Sequence, residues 1–237
     1  MTRKLQGNTV LIVDDDPDLC LMLKLALERE GAEVFTAPNG EKGLQAFYAQ
    51  RPDLVILDIL MPKIDGWETC RQMRLLSDTP IIMLTALTNE QILIRGLDAG
   101  ADDFISKPFS IDVLIARARA ALRRARENHG DEPKIIYQDS YLEIDLAKRR
   151  VTAGGRPVKL TSTEFRLLSY LLQNANQVMP YRQILQHVWG WEYRDAIDYA
   201  QVYISHLRQK LEPDPKAPRY LLNEYGIGYL FTTTGAS

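Results

Sequence analysis

The residues best placed to do chemistry sit where short apolar runs stop. Asp14, Asp15 and Asp16 follow Thr9–Val13, and Asp58 follows Asp53–Leu57. Thr85 closes the run from Pro80, and Lys107 follows Asp103–Ser106. Apolar runs this short and continuous suit parallel strands buried on both faces, so each polar group lies at the mouth of a core. Three carboxylates drawn together repel by about 4 kcal/mol per pair at roughly 4 Å, taking an effective dielectric near 20. Lys107 offsets part of that repulsion. A hard divalent cation offsets the rest, and Mg2+ suits a site of carboxylate and carbonyl oxygens because it keeps several of its waters. A carboxylate, a Mg2+ site, an ammonium and a hydroxyl around one cavity make a phosphoryl-transfer site, where positioning and charge neutralisation supply most of the catalysis.

These groups meet only if strands and helices alternate. After the strand at Thr9–Val13, Pro17 opens a helix in which Leu19, Met22, Leu23, Leu25, Ala26 and Leu27 recur at helical spacing up to Gly31. The pattern then repeats: strand Glu33–Thr36, helix Gly40–Gln50, strand Asp53–Leu57, helix Gly66–Leu76, strand Pro80–Thr85, helix Glu90–Ala99, strand Asp103–Ser106 and helix Ser110–Arg126. Such alternation means right-handed crossovers and a parallel sheet with helices on both faces, an α/β fold. Functional groups in such a sheet gather outside the carboxyl ends of the strands, where Asp14, Asp15, Asp58, Thr85 and Lys107 fall.

Composition frames the rest. The 237 residues, 46% hydrophobic, provide for two ordinary domains. Residues 1–133 carry 16 Lys+Arg against 21 Asp+Glu, a balance of -5, whereas residues 134–237 carry 13 against 10, a balance of +3. An acidic half joined to a mildly basic one fits a regulatory or catalytic domain followed by a domain that meets nucleic acid. Cys20 and Cys70 fall at apolar helix positions and read as small buried hydrophobes. The run Val10–Val13 is too short for a signal segment and no stretch approaches the ~20 apolar residues of a membrane span, so a cytoplasmic protein without a membrane partner is expected.

The second half changes rhythm. Residues 127–133 lack apolar periodicity and read as a linker between domains at 1–126 and 134–237. Short strands follow at Ile135–Gln138, Tyr141–Asp145 and Arg149–Val158, the last turning at Gly154-Gly155. Thr161 and Glu164 form a capping-box signature that opens a helix with Phe165, Leu168 and Leu172 on one face. Helices at Tyr181–Val188 and Ala196–Leu211 and a closing hairpin within Tyr220–Phe231 complete an α+β winged helix-turn-helix.

The first half resembles the receiver domain of two-component response regulators: Asp14-Asp15, Asp58, Thr85-Ala86 and Lys107-Pro108-Phe109 stand at the family's spacing over residues 9–124. The resemblance implies a flavodoxin-like (βα)5 fold with strand order 2-1-3-4-5. It makes Asp58 the phosphorylation site, with Lys107 and Thr85 as its catalytic partners. Asp15, Asp58 and the Leu60 carbonyl would ligate Mg2+ directly and Asp14 through water. Thr85 and Phe104 would form the switch, and Lys107-Pro108 the cis peptide that only proline makes cheap. A dimer face would hold Asp103 and Arg117 as one ion pair between subunits, with Leu93 and Val113 where the family commonly has a second. Haloacid-dehalogenase-type phosphatases offer an alternative through Asp14-x-Asp16, which leaves Asp58 without a role.

The second half resembles the DNA-binding domain of the OmpR/PhoB subfamily through Leu160-Thr161-Ser162-Thr163-Glu164-Phe165, Val188-Trp189-Gly190, Leu207–Glu212 and Gly226–Tyr229. By that resemblance the helix ending at Leu211 enters the major groove and the hairpin reaches the minor groove. Tyr199, Val202, Ser205, His206 and Arg208 are the candidate groove contacts, Lys210 the phosphate contact and Tyr225 the wing residue. Ser205, His206, Asp198 and Tyr225 replace cations common in relatives, so the salt dependence of binding should be shallow. The implied partners are a sensor histidine kinase, double-stranded DNA, RNA polymerase and, once phosphorylated, a second copy of the chain. The alternative is a winged helix that mainly binds protein.

Overall fold

The computed structural model describes residues 5–86, 99–127 and 136–233, in two compact units, Met1–Glu127 and Asn128–Ser237. The first contains β1 (Thr9–Val13), α1 (Pro17–Arg29), β2 (Glu33–Ala37), α2 (Gly40–Gln50), β3 (Leu54–Asp58), α3 (Gly66–Leu76), β4 (Ile81–Thr85), β5 (Asp103–Ser106) and α4 (Ile111–Glu127). The strands are parallel in the order β2-β1-β3-β4-β5. Most of the helix expected over residues 90–99 lies outside the described residues.

Side chains alternate across this sheet. Val10, Ile12, Leu54, Ile56, Ile82, Leu84 and Ile105 meet Cys20, Leu23 and Leu27 of α1 and Leu114, Ala118, Ala121 and Leu122 of α4. Burying each large aliphatic contributes about 1.5–3 kcal/mol, which holds the strand ends in fixed register. On α2, Gly43 lies against Val13, where an added Cβ would fall 2.8 Å from a valine methyl.

Three helices are capped as they leave the carboxyl edge of the sheet. Asp16 accepts the amides of Asp18 and Leu19 at 2.9 and 3.1 Å, Asn39 that of Lys42 at 3.0 Å, and Asp65 that of Glu68 at 2.8 Å. Each cap satisfies an otherwise orphaned donor, contributing about 1 kcal/mol. At the opposite edge the Arg74 guanidinium binds Asp102 at 2.7 Å and the Gly100 carbonyl at 2.8 Å, while Asp102 also accepts the Ile81 amide at 3.0 Å. The starts of β4 and β5 are thereby tied to α3.

The second unit begins with an antiparallel sheet, β6 (Ile136–Gln138), β7 (Leu142–Asp145), β8 (Arg150–Ala153) and β9 (Arg156–Pro157). Then come α5 (Ser162–Gln173), β10 (Met179–Pro180), α6 (Tyr181–Val188), α7 (Ile197–Leu211), β11 (Leu221–Glu224) and β12 (Gly228–Phe231). Thr161 and Glu164 form the expected capping box. The terminal hairpin is part of a three-stranded sheet, because β10 pairs with β12 through Met179–Tyr229 and Pro180–Gly228. Two residues ending in proline just before a helix show no alternation, so the sequence did not announce β10. Gly228 is required there, since any Cβ would strike the Met179 carbonyl.

Candidate functional site

The carboxyl edge of the parallel sheet gathers the predicted groups. Register places Asp58 beside Leu84 and Thr85 beside Ser106, so the ends of β3, β4 and β5 are level. Gly66 begins α3 hard against the Asp58 backbone, where a side chain would not fit. The Lys107 amide donates to the Thr85 carbonyl at 2.6 Å, and the Lys107-Pro108 peptide is cis, as the resemblance implied. The Lys107 ammonium then spans two carboxylates, 3.0 Å from Asp14 Oδ2 and 2.6 Å from Asp58 Oδ1.

Charge is unbalanced at this site. Carboxylate oxygens of Asp14, Asp15 and Asp58 lie within 4.8 Å of one another, with Asp14 and Asp58 buried and Asp15 exposed. The remaining hydrogen bonds fix orientation: the Leu60 amide donates to Asp58 Oδ2 at 3.0 Å and the Asp16 amide to Asp14 Oδ1 at 2.9 Å. Burial pushes the Asp58 carboxyl above its ordinary value, against the lowering effect of its hydrogen bond to Lys107, and Asp14 pushes it the same way. Burial alone would lower the Lys107 ammonium, but hydrogen bonds to Asp58 and Asp14 outweigh it and the net direction is up. The group is a hard-oxygen cluster one cation short, which fits a divalent ion. Asp16 is spent on capping α1, which removes it from the Asp14-x-Asp16 arrangement a phosphatase would need.

Known proteins resemble the chain throughout. Residues 10–119 match the family described as response regulator receiver domain, and residues 155–231 match transcriptional regulatory protein, C terminal. The KDP operon transcriptional regulatory protein KdpE of Escherichia coli K12 is 45% identical over 222 residues, covering 94% of this chain and 98% of its own. The chain belongs to the OmpR/PhoB family of response regulators. The DNA-binding dual master transcriptional regulator RpaA of Synechocystis is 40% identical, with 93% of each chain covered. The Thermotoga maritima OmpR/PhoB homolog DrrB aligns with a TM-score of 0.50 at 30% identity, covering 96% of this chain and 99% of its own. This response regulator therefore pairs a receiver with a DNA-binding transcription-regulator domain and is not an enzyme in the ordinary sense.

The switch and dimer-face residues are distributed as follows. Thr85 and Phe104 are buried, and the Phe104 ring lies 6.5 Å from that of Trp67 at the start of α3. Nothing in the sequence marks Trp67 beyond an aromatic at helical spacing, which reads as core. Asp103 and Arg117, expected to pair between subunits, pair within the chain at 2.7 Å, and Arg117 also donates to the Phe104 carbonyl at 2.7 Å. Val113 is exposed and Leu93 lies outside the described residues. Burial raises the Cys20 and Cys70 thiols to about 11 and about 12, as befits small core hydrophobes.

In the DNA-binding domain the residues expected to contact DNA are placed as follows. Tyr199 packs edge-on against the rings of Trp189 and Tyr193, at 6.0 and 5.5 Å, and belongs to the aromatic core. Val202 and His206 are likewise buried. Arg208 turns to the hairpin, donating from Nε and Nη2 to the Leu221 carbonyl at 3.0 and 2.7 Å. The Lys210 ammonium, expected on phosphate, holds both oxygens of buried Glu164 at 2.7 Å. Ser205 is exposed, and so is Tyr225, at 93% of its surface. The sequence shows residue types but not which flank of a helix its neighbours cover, and that separates Ser205 from Val202 and His206.

Proposed function

We propose that the chain is a phosphorylation-dependent regulator of transcription that receives a phosphoryl group on Asp58 from a sensor histidine kinase. The observation that carries this is the Lys107 ammonium bridging Asp14 and Asp58 at 3.0 and 2.6 Å beside a third carboxylate. An Asp58 oxygen attacks phosphorus, the bond from phosphorus to the kinase imidazole breaks, and the imidazole takes up a proton. Lys107 pairs with the incoming phosphoryl oxygens, and Thr85 hydrogen-bonds them. Asp14, Asp15, Asp58 and the Leu60 carbonyl are the groups that would hold Mg2+, which when bound neutralises charge on the phosphoryl oxygens.

The kinase meets α1, whose solvent side exposes Leu21, Met22 and Leu25 a turn beyond Asp16, together with exposed Leu60. Phosphorylation adds roughly 1.5–2 negative charges at one point. Thr85 is drawn to the new oxygens, Phe104 repacks, and a homodimer forms through β5 and α4, where Asp103 and Arg117 would exchange partners between subunits. The dimer sets two winged helices on double-stranded DNA in the cytoplasm, where RNA polymerase is the further partner. Sedimentation and DNA-binding titrations with and without acetyl phosphate and Mg2+ test this. Dimerisation and tighter DNA binding should appear in the wild type and be lost in Asp58→Asn, whereas an equal response in both proteins would overturn it.

A further inference from the structure

On α7 the solvent side carries a stripe of Asp198, Gln201, Ser205 and Gln209, spaced three or four residues apart along 15 residues of helix, with Ile197 exposed at its start and Lys210 at its end. Ala200, Tyr203, Ile204, Leu207 and Leu211 pack inward, with Tyr199, Val202 and His206 buried beside them. The two cations near the end of the helix are held elsewhere, Arg208 on the Leu221 carbonyl and Lys210 on Glu164. Ahead of its last turn, what the stripe offers to a groove is therefore uncharged amide and hydroxyl, with one acid in the first turn.

We propose that Gln201 is the principal base reader of this protein and that it selects adenine. A glutamine amide presents a donor and an acceptor together, which matches the N7 acceptor and N6 donor of adenine in the major groove, whereas guanine offers two acceptors there. Ser205, one turn further along the same stripe, donates or accepts and does not discriminate by itself. Asp198 disfavours a close phosphate and so turns the reading toward base edges. Orientation on the duplex comes from groups off the helix, such as Arg182, whose partner Asp195 is solvated at 3.3 Å and exchanges readily for phosphate. The inference rests on the DNA-binding function of the domain and adds the identity of the reading residue and its base.

Selection from a random duplex library with full-length protein, treated with acetyl phosphate and Mg2+, tests the assignment. The wild type should yield a motif with one adenine per half-site that Gln201→Ala relaxes, the adenine preference there falling about tenfold to a hundredfold. Gln201→Arg should convert that position to guanine. Position 201 is solvent-facing, and unchanged melting curves of both variants will show that the fold is kept. An unaltered motif in Gln201→Ala, or a uniform loss of affinity with the motif intact, would overturn the proposal. Failure of the wild type to select any motif would instead count against specific DNA binding itself.

Discussion

Lys107 and Lys210 make the same interaction to opposite ends. Each ammonium reaches two carboxylate oxygens at 2.6–3.0 Å, Lys107 on Asp14 and Asp58, Lys210 on the two oxygens of Glu164. In the winged helix one cation meets one acid, whose Oε2 also accepts the Thr161 amide at 2.7 Å, and the charges cancel. That pair joins the start of α5 to the end of α7. In the receiver one cation faces three acids, and the surplus leaves a site that gains stability from any added cation. Geometry is shared; charge count separates a brace from the site proposed to react.

The comparison is broken most severely by removing each lysine. Lys107→Met should cost about 3 kcal/mol at neutral pH, since it strands two buried carboxylates, and Lys210→Met about 1–2 kcal/mol, because that lysine is a third exposed. Millimolar Mg2+ should restore most of the loss in Lys107→Met and none in Lys210→Met, as read by denaturant unfolding. Equal rescue in both would erase the distinction.

A smaller effect should follow from Asp58→Asn. The folded-state carboxyl of Asp58 is raised above its ordinary value near 3.8, so its charged form opposes folding. This penalty is absent below the ordinary value and grows as pH rises through the raised one. Asp58→Asn should therefore melt higher than the wild type at pH 7 without metal, with the gap closing toward pH 4 and reversing when Mg2+ is added. A gap that widened on acidification would contradict the sign. The smallest change expected is none. Lys210→Ala should leave the salt slope of DNA binding unaltered, whereas loss of a true phosphate contact would reduce it by about one.

Much of the receiver could be read in advance because parallel strands buried on both faces leave continuous apolar runs. Asp14, which follows Thr9–Val13, and Asp58, which ends Leu54–Asp58, had few other reasons to be polar. The winged helix was less legible. The resemblance offers Arg208 and Lys210 for DNA, and only packing shows that they also hydrogen-bond the Leu221 carbonyl and Glu164. Gln201 carried a signal that could have been used, since polar residues at 201, 205 and 209 oppose the apolar set at 200, 204, 207 and 211. Asp103 and Arg117 illustrate another limit: the resemblance marks a pair, but the sequence does not say whether it closes within one chain or between two.

Mass mapping of the folded protein after exposure to acetyl phosphate and Mg2+ tests most directly whether surplus charge marks the reactive centre. One phosphoryl group should be found on Asp58, lost in alkali, and dependent on both Mg2+ and Lys107. An unmodified Asp58, or equal labelling of Glu164, would contradict the account.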